Sequence, residues 1–264
     1  MTHEISDGQQ LYLNRRKKHR QIVQISRFAI FLSFLFLWEF SANVGLIDSF
    51  IFSSPSKVAL SCSQMLLDGT LLVHIGVTLY ETILSFVLVI LVSMISAVIL
   101  WCSSKIAEII DPYLVVLNSL PKSALAPLLI VWLGATPTTI IVTGMSVAVF
   151  GSILSIYTGF TTVDTEDIKL IYTLRGTKGQ ALRKVVLPSS VPTIISTMKV
   201  NIGLCLVGVI IGEFLAAKRG LGYLIIYSSQ VYKMDWLLMS IVLLCIMAIG
   251  LYAVIGLFER RYQR

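Results

Sequence analysis

Apolar residues run through most of this chain in stretches long enough to cross a bilayer, which takes about 20 mostly apolar residues. Six stretches qualify: residues 28–46, 75–101, 112–133, 138–160, 191–216 and 236–258. The third is the most broken. Pro121 and Pro127 interrupt it and Asn118 and Lys122 are polar, which predicts a kinked or divided helix. Gly134-Ala135-Thr136-Pro137 predicts a tight turn into the fourth. Between the first two stretches, Pro55 behind Ser53 and Ser54 predicts a capped, moderately amphipathic surface helix within residues 53–72. The pattern is that of an all-α polytopic membrane protein. No segment between the stretches is long enough for a core of its own.

One polar island breaks the pattern. Over residues 161–184 the apolar runs stop, and Asp164, Glu166, Asp167, Lys169, Arg175, Lys178, Arg183 and Lys184 crowd together. Such a charged insert cannot lie in lipid, where unsatisfied polar groups cost several kcal/mol each. It must project from the membrane. Asp164 to Lys169 reads as the cap and start of one short helix. Gly176 and Gly179 allow a break, and Ala181 to Val186 reads as a second short piece halted by Pro188. Two short helices make a compact knob suited to a partner; a merely solvated loop is the bland alternative.

Composition sharpens the class. Of 264 residues, 56% are hydrophobic and 13% charged, with mean hydropathy +0.86; a soluble domain carries about a quarter charged residues. Much of the net charge of +7 lies in Arg15-Arg16-Lys17-Lys18-His19-Arg20, beside the first apolar stretch. There the positive-inside rule accounts for it, and without interleaved aromatics it does not point to nucleic acid. Residues 1–27 thus read as a basic cytoplasmic tail and 28–264 as the membrane domain. The first stretch lacks a small-x-small cleavage site and reads as a retained anchor. Six crossings put both termini, Lys105, the island and Arg260-Arg261-Arg264 inside. Lys57, Lys218, Arg219 and Lys233 fall outside, and Lys218-Arg219 is a local dissent.

Candidate chemistry is sparse. His3, His19 and His74 are scattered, and Cys62, Cys102, Cys205 and Cys245 have neither metal-ligand nor redox spacing, so no catalytic or metal site is expected. There is no Gly-x-x-x-x-Gly-Lys-Ser/Thr loop, so any ATP-driven work must draw on another subunit.

The residues after the island carry a resemblance. Gly176-Thr-Lys-Gly-Gln-Ala-Leu-Arg-Lys-Val-Val-Leu-Pro188-Ser-Ser-Val-Pro192 resembles the cytoplasmic coupling loop of ABC importer permeases, which reads roughly Glu-Ala-Ala, three residues, Gly, then a run ending in Leu-Pro. The likeness extends through Met198-Lys199, Gly203-Leu204, Gly212-Glu213-Phe214-Leu215-Ala216 and Gly220-Leu221-Gly222-Tyr223-Leu224-Ile225. Upstream it includes Trp38-Glu39, Pro55-Ser56-Lys57-Val58, Asp111-Pro112, Leu120-Pro121-Lys122, Pro127-Leu128 and Trp132-Leu133-Gly134. The order and spacing are similar to the subgroup associated with nitrate, sulfonate, taurine and thiamine-precursor import. Two departures stand out. Counting back from Pro188, Arg175 occupies the place of the family glycine and Gly176 comes one later. Lys169-Leu170-Ile171 replaces Glu-Ala-Ala, with Asp167 the nearest acid.

The resemblance implies a type I importer permease in the bacterial cytoplasmic membrane, a second permease copy, ABC ATPase subunits that hold ATP and Mg, and an extracytoplasmic solute-binding protein. The solute would be a small anion such as a sulfonate or nitrate, or a vitamin precursor. It places ATPase coupling on residues 161–190, with Asp167, Arg175, Gly176, Arg183, Leu187 and Pro188 as candidates. Glu81, Lys199 and Glu213 are the intramembrane charges that could line the path. Lys199 is expected to snorkel to the cytoplasmic surface and Glu213 to lie near the outer mouth; fourteen residues apart, about 21 Å along a helix, they cannot pair. Gly208 and Gly212, four apart, suit close helix packing. The rival classes are an ion-coupled carrier or channel, expected to show paired membrane charges or repeated broken helices, and a scaffold, which would not need the island. The topology is testable: Lys178→Cys should label in intact cells only after the membrane is made permeable, and labelling from outside would invert the arrangement.

Overall fold

The computed structural model describes residues 7–262; His3 and Arg264 lie outside them. Every regular element there is helical: α1 Asp7–Val44, α2 Pro55–Leu67, α3 Thr70–Cys102, α4 Ser104–Ser119, α5 Lys122–Leu133, α6 Pro137–Thr161, α7 Thr165–Thr173, α8 Lys178–Ala181, a π-helical stretch Leu182–Val186, α9 Leu187–Ala216, α10 Leu221–Gln230 and α11 Met234–Tyr262. Among the described residues, five helices are long and apolar enough to cross a bilayer. The pair α4–α5, bent by 96°, makes a sixth if it counts as one span. The bend falls at Leu120-Pro121, where Pro121 caps α5. Pro112 and Pro127 lie inside helices, so only one of the two expected interruptions breaks the third stretch.

The basic tail is not separate from the first span. Arg15–Val44 forms one continuous, exposed helix that touches the bundle mainly through α2. Glu39 near its end accepts the Ser56 backbone N–H at 3.0 Å and the Ser56 hydroxyl, while Ser54 caps α2 by accepting the Lys57 N–H. The motifs Trp38-Glu39 and Pro55-Ser56 thus meet in a single helix-capping contact, and an acid at a helix N-terminus is electrostatically favourable.

The core of the bundle is α6 packed between α9 and α3. Small residues set the closeness of the first pair. A Cβ on Gly208 would lie 2.8 Å from the Gly144 Cα and 3.0 Å from the Thr143 carbonyl oxygen, and one on Gly212 would lie 3.0 Å from the Ile140 Cα. The two glycines therefore serve packing inside this chain. Away from the island, α10 turns back against α9 and α11, burying Leu221 and Leu224 with Leu206, Met239, Leu71 and Met65. At ten residues, about 15 Å, it is too short to cross.

The glycine contacts make a paired prediction. Gly208→Ala meets backbone on α6 and should destabilise the solubilised protein by about 1–3 kcal/mol. Gly203→Ala, with open space around it, should stabilise by up to about 1 kcal/mol through helix propensity. Thermal unfolding of the two variants against the wild type checks both signs.

Candidate functional site

Three places hold the polar residues that a bundle of this kind must account for. The first is the island, which folds as a knob at one end of the molecule. Asp164 caps α7 by accepting the Glu166 N–H at 2.8 Å, and Glu166 and Asp167 occupy its first turn, where their charge suits the helix dipole. The end of α7 closes with the Gly176 N–H on the Ile171 carbonyl at 2.8 Å and the Arg175 N–H on the Tyr172 carbonyl at 3.0 Å. This pair of bonds needs a left-handed residue, most often glycine, at the position Arg175 holds; Arg175 adopts φ +58°. Gly176 is required for another reason, since a Cβ there would meet the Ile171 carbonyl oxygen at 2.7 Å. Arg175, at the place of the family glycine, thus takes the left-handed conformation that glycine favours, and Gly176 follows it where a side chain does not fit.

Thr177 and Gln180 form a capping box that starts α8. From there the chain does not stop at Pro188. It runs as one helical path over Lys178–Ala216, with the π-helical turn directly before the proline. The expected halt is corrected by that geometry. Proline lacks an N–H and its ring crowds the carbonyl four residues back, here that of Lys184, and a widened turn relieves both problems. Gly179 likewise lies within α8 and not at a break.

Val186 and the half-buried Val163, Ile168, Leu182 and Leu187 pack on Ala97, Ile156 and Phe160, which seats the knob on α3 and α6. Lys178 adds a donor to the Cys102 carbonyl at 3.1 Å and lies 5.4 Å from the Trp101 ring centre. The outer face of the knob presents Asp167, Arg175, Arg183 and Lys184, with Pro188 exposed at its base. It also presents Leu170 at 59% and Leu174 at 73% exposure. Neither leucine is among the coupling candidates read from the sequence, although Leu170 stands in the segment that replaces Glu-Ala-Ala and Leu174 in the same charged island.

The second place is a groove of about 660 Å³ along α4, α6 and α9. Ser155, Thr158 and Thr162 come from α6 or the residue after it, Thr193, Ser196, Thr197 and Asn201 from α9, and Asn118 from α4. At its edge the Asn201 amide donates to Ser152 Oγ at 2.7 Å. The bend after Asn118 turns α5 away from α4 there. The lining carries no ionised side chain. In sequence it appears as two hydroxyl stripes at helical spacing inside apolar stretches, a signal that sequence reasoning passed over in favour of the charges.

Those charges lie elsewhere. Lys199 does not snorkel freely: it forms an ion pair with Glu259 and lies 5.5 Å from the Tyr252 ring centre, joining α9 to α11. Glu213 does not reach the outer surface and is only 1% exposed. Thr78 donates its hydroxyl to Glu213 at 2.6 Å while accepting the Leu221 N–H at 2.8 Å, and the Gly222 N–H donates to the other carboxyl oxygen. Side chains at Gly220 or Gly222 would collide with that carboxyl group, and Gly220 has φ +118°. His74 Nδ1 lies 3.0 Å from the Gly220 oxygen, with its ring stacked 6.2 Å from Tyr223. The third place is thus a polar nest that fastens the turn into α10. Glu81, on α3 beside Glu213, is also buried and lines a neighbouring cavity of about 300 Å³ with Lys218 and Arg219. Glu81 and Glu213 come together; Lys199 is remote from both, and none of the three lines the groove.

The nest predicts a measurable cost. Thr78→Val would leave the Leu221 N–H and one Glu213 oxygen without partners and should lower stability by about 1–3 kcal/mol. Thr78→Ser should recover most of the loss, as read by thermal unfolding in detergent.

The chain matches known proteins over most of its length. It is 29% identical over 229 residues to a protein of Haemophilus influenzae described as a probable ABC transporter permease protein, covering 86% of this chain and 92% of that one. It is 24% identical over 249 residues to the taurine transport system permease protein TauC of Escherichia coli, covering 92% and 89%. Among solved structures, the MetNI methionine ABC transporter in an inward-facing conformation superposes with TM-score 0.67 at 18% identity, covering 75% of this chain and 98% of that one, which shows a shared fold. Residues 89–264 match the family model described as the binding-protein-dependent transport system inner membrane component. The chain belongs to that family and is a multi-pass permease of an ABC importer, with the type I fold.

Proposed function

We propose that this permease imports a small polar solute and is driven through the knob by a separate ATPase, which binds ATP and Mg. The observation that carries this reading is the knob's continuity with the groove. Arg183 and Lys184 sit at the start of the same helical path whose next turns carry Thr193, Ser196, Thr197 and Asn201, and Leu170, Leu174 and Arg175 stand on α7 and the turn just before it. Exposed apolar groups among charges, outside the span, mark a protein contact. Movement of a docked partner would therefore bear directly on one wall of the groove. The groove is open on its flank, so a second permease copy closing it would complete a path. The solute-binding protein would dock at the opposite end, and both termini would lie with the knob on the cytoplasmic side.

The solute class follows from the wall. Six hydroxyls and two amides offer hydrogen bonds without fixed charge. Such a wall suits a small polar solute, including a sulfonate of the kind named for the taurine permease, or a neutral vitamin precursor. Recognition by charge is left to the binding protein. Asp167, Arg175, Gly176, Arg183, Leu187 and Pro188 remain the coupling residues, with Leu170 and Leu174 added to them.

The double variant Arg175→Glu with Arg183→Glu should retain insertion in the membrane and lose ATPase association at least about tenfold, since charge-assisted contacts contribute about 1.5–3 kcal/mol each. Copurification of the ATPase at the wild-type level would refute the docking face. Reconstituted with its partners, uptake should require ATP hydrolysis; uphill uptake by the permease alone on an ion gradient would favour a carrier.

A further inference from the structure

We propose that a phospholipid with an anionic headgroup occupies a built site between α1 and α11, at the end of the molecule remote from the knob. Two cavities meet there. One, of about 330 Å³, is polar and lies between the loop before α2 and the start of α11. The other, of about 580 Å³, is apolar and runs down the cleft between α1 and α11, lined by Phe34 and Trp38 on one side and Leu238 and Val242 on the other. Met234 lines both. From Met234 to Val242 the apolar cleft follows about 12 Å of helix, the direction an acyl chain takes below its headgroup.

The polar cavity has the chemistry of a phosphate site. Lys57 and Lys233 line it, and its one acid, Asp235, is engaged by the Ser61 hydroxyl. Lys57 is held by Ser49 at 3.1 Å, and Lys233 lies 3.7 Å from the Trp236 ring centre. Ser53 is 2% exposed, sits in the left-handed region at φ +53° and has a hydroxyl with no hydrogen-bond partner. A buried hydroxyl without a partner calls for a ligand or a water. Phe50 stacks on Tyr232, 6.4 Å between centres, at the rim. Aromatic and lysine side chains at this level are the usual complement of the headgroup region.

The cleft exists because α1 leans on the bundle mainly through α2. A lipid seated there would fill the space and brace the first span. Free phosphate and a second copy of the chain are the other possible occupants, and each gives a different result.

The full-length permease, purified in mild detergent and supplied with equal phosphatidylglycerol and phosphatidylcholine, should retain phosphatidylglycerol preferentially by native mass spectrometry. Lys57→Gln with Lys233→Gln should lower that retention about fivefold per lysine, the effect of about 1 kcal/mol each. Val242→Trp, which fills the cleft and leaves both lysines in place, should lower retention of both lipids. Unchanged retention in either variant would overturn the proposal. So would a rise in thermal stability with glycerol phosphate equal to that with phosphatidylglycerol, because the acyl cleft would then play no part. Cross-linking of Val242→Cys to a second copy would assign the cleft to a dimer contact and overturn it as well.

Discussion

Inside a bilayer a polar group has no water to turn to, and the protein must supply its partner. Most of the buried polar side chains described above answer to that constraint, with the Ser53 hydroxyl and one Glu81 oxygen as exceptions. Ser85 donates to carbonyls of its own helix and of α6; Asn201 reaches Ser152; Lys199 finds Glu259; Glu213 takes donors from Thr78 and Gly222. These contacts reach only a few ångströms, so they demand close helices, and close helices demand small residues. Gly144 and Gly208 meet for that reason, and Gly220 and Gly222 leave room for a carboxylate for the same one. Without Gly220 and Gly222, the Glu213 carboxyl group would not fit beneath its turn.

That constraint explains which parts of the fold are legible in the sequence. Apolar length is a one-dimensional signal, so the six stretches, the α2 cap at Ser54 and the turn before Pro137 follow from counting and turn chemistry. What a charge does depends on which helix faces it, and no spacing within one helix reports that. Glu213 reads as a residue at the mouth because it lies near the end of a span, but its partners come from Thr78, 135 positions away, and from a turn folded back over it. The pairing of Lys199 with Glu259 spans 60 positions and escapes sequence reasoning for the same reason. The hydroxyl stripes of α6 and α9 were visible at period 3.6, yet a Ser or Thr in a membrane helix can equally bond its own backbone. Only the facing of the two stripes makes a groove.

Charge pairing inside a membrane bundle is a weaker sign of ion-coupled transport than it first looks. The pair Lys199–Glu259 joins two spans, and the carboxyl of Glu213 is committed to fixing a turn. Both offset a desolvation cost that either partner alone would carry. Neither faces the groove. Charges held in this way brace the frame against which other helices can move.

The route from knob to groove turns on the π-helical stretch. A single residue added to a helical turn rotates everything before it by about 100° relative to everything after it. Here the rotation falls between the knob and the span. Val186 is buried against Phe160 while Arg183 and Lys184 stay on the surface, and beyond Pro188 the same path buries Ser190 and Thr197 and lines the groove with Thr193 and Ser196. The proline favours the wide turn, which relieves the pressure of its ring on the Lys184 carbonyl, although Pro112, Pro127 and Pro192 sit in regular helices without one. The Leu-Pro pair therefore sets the angular relation between the knob, the proposed docking face, and the groove wall. It does so with no flexible joint, so a push on the knob can arrive at the wall as rotation of one continuous helix.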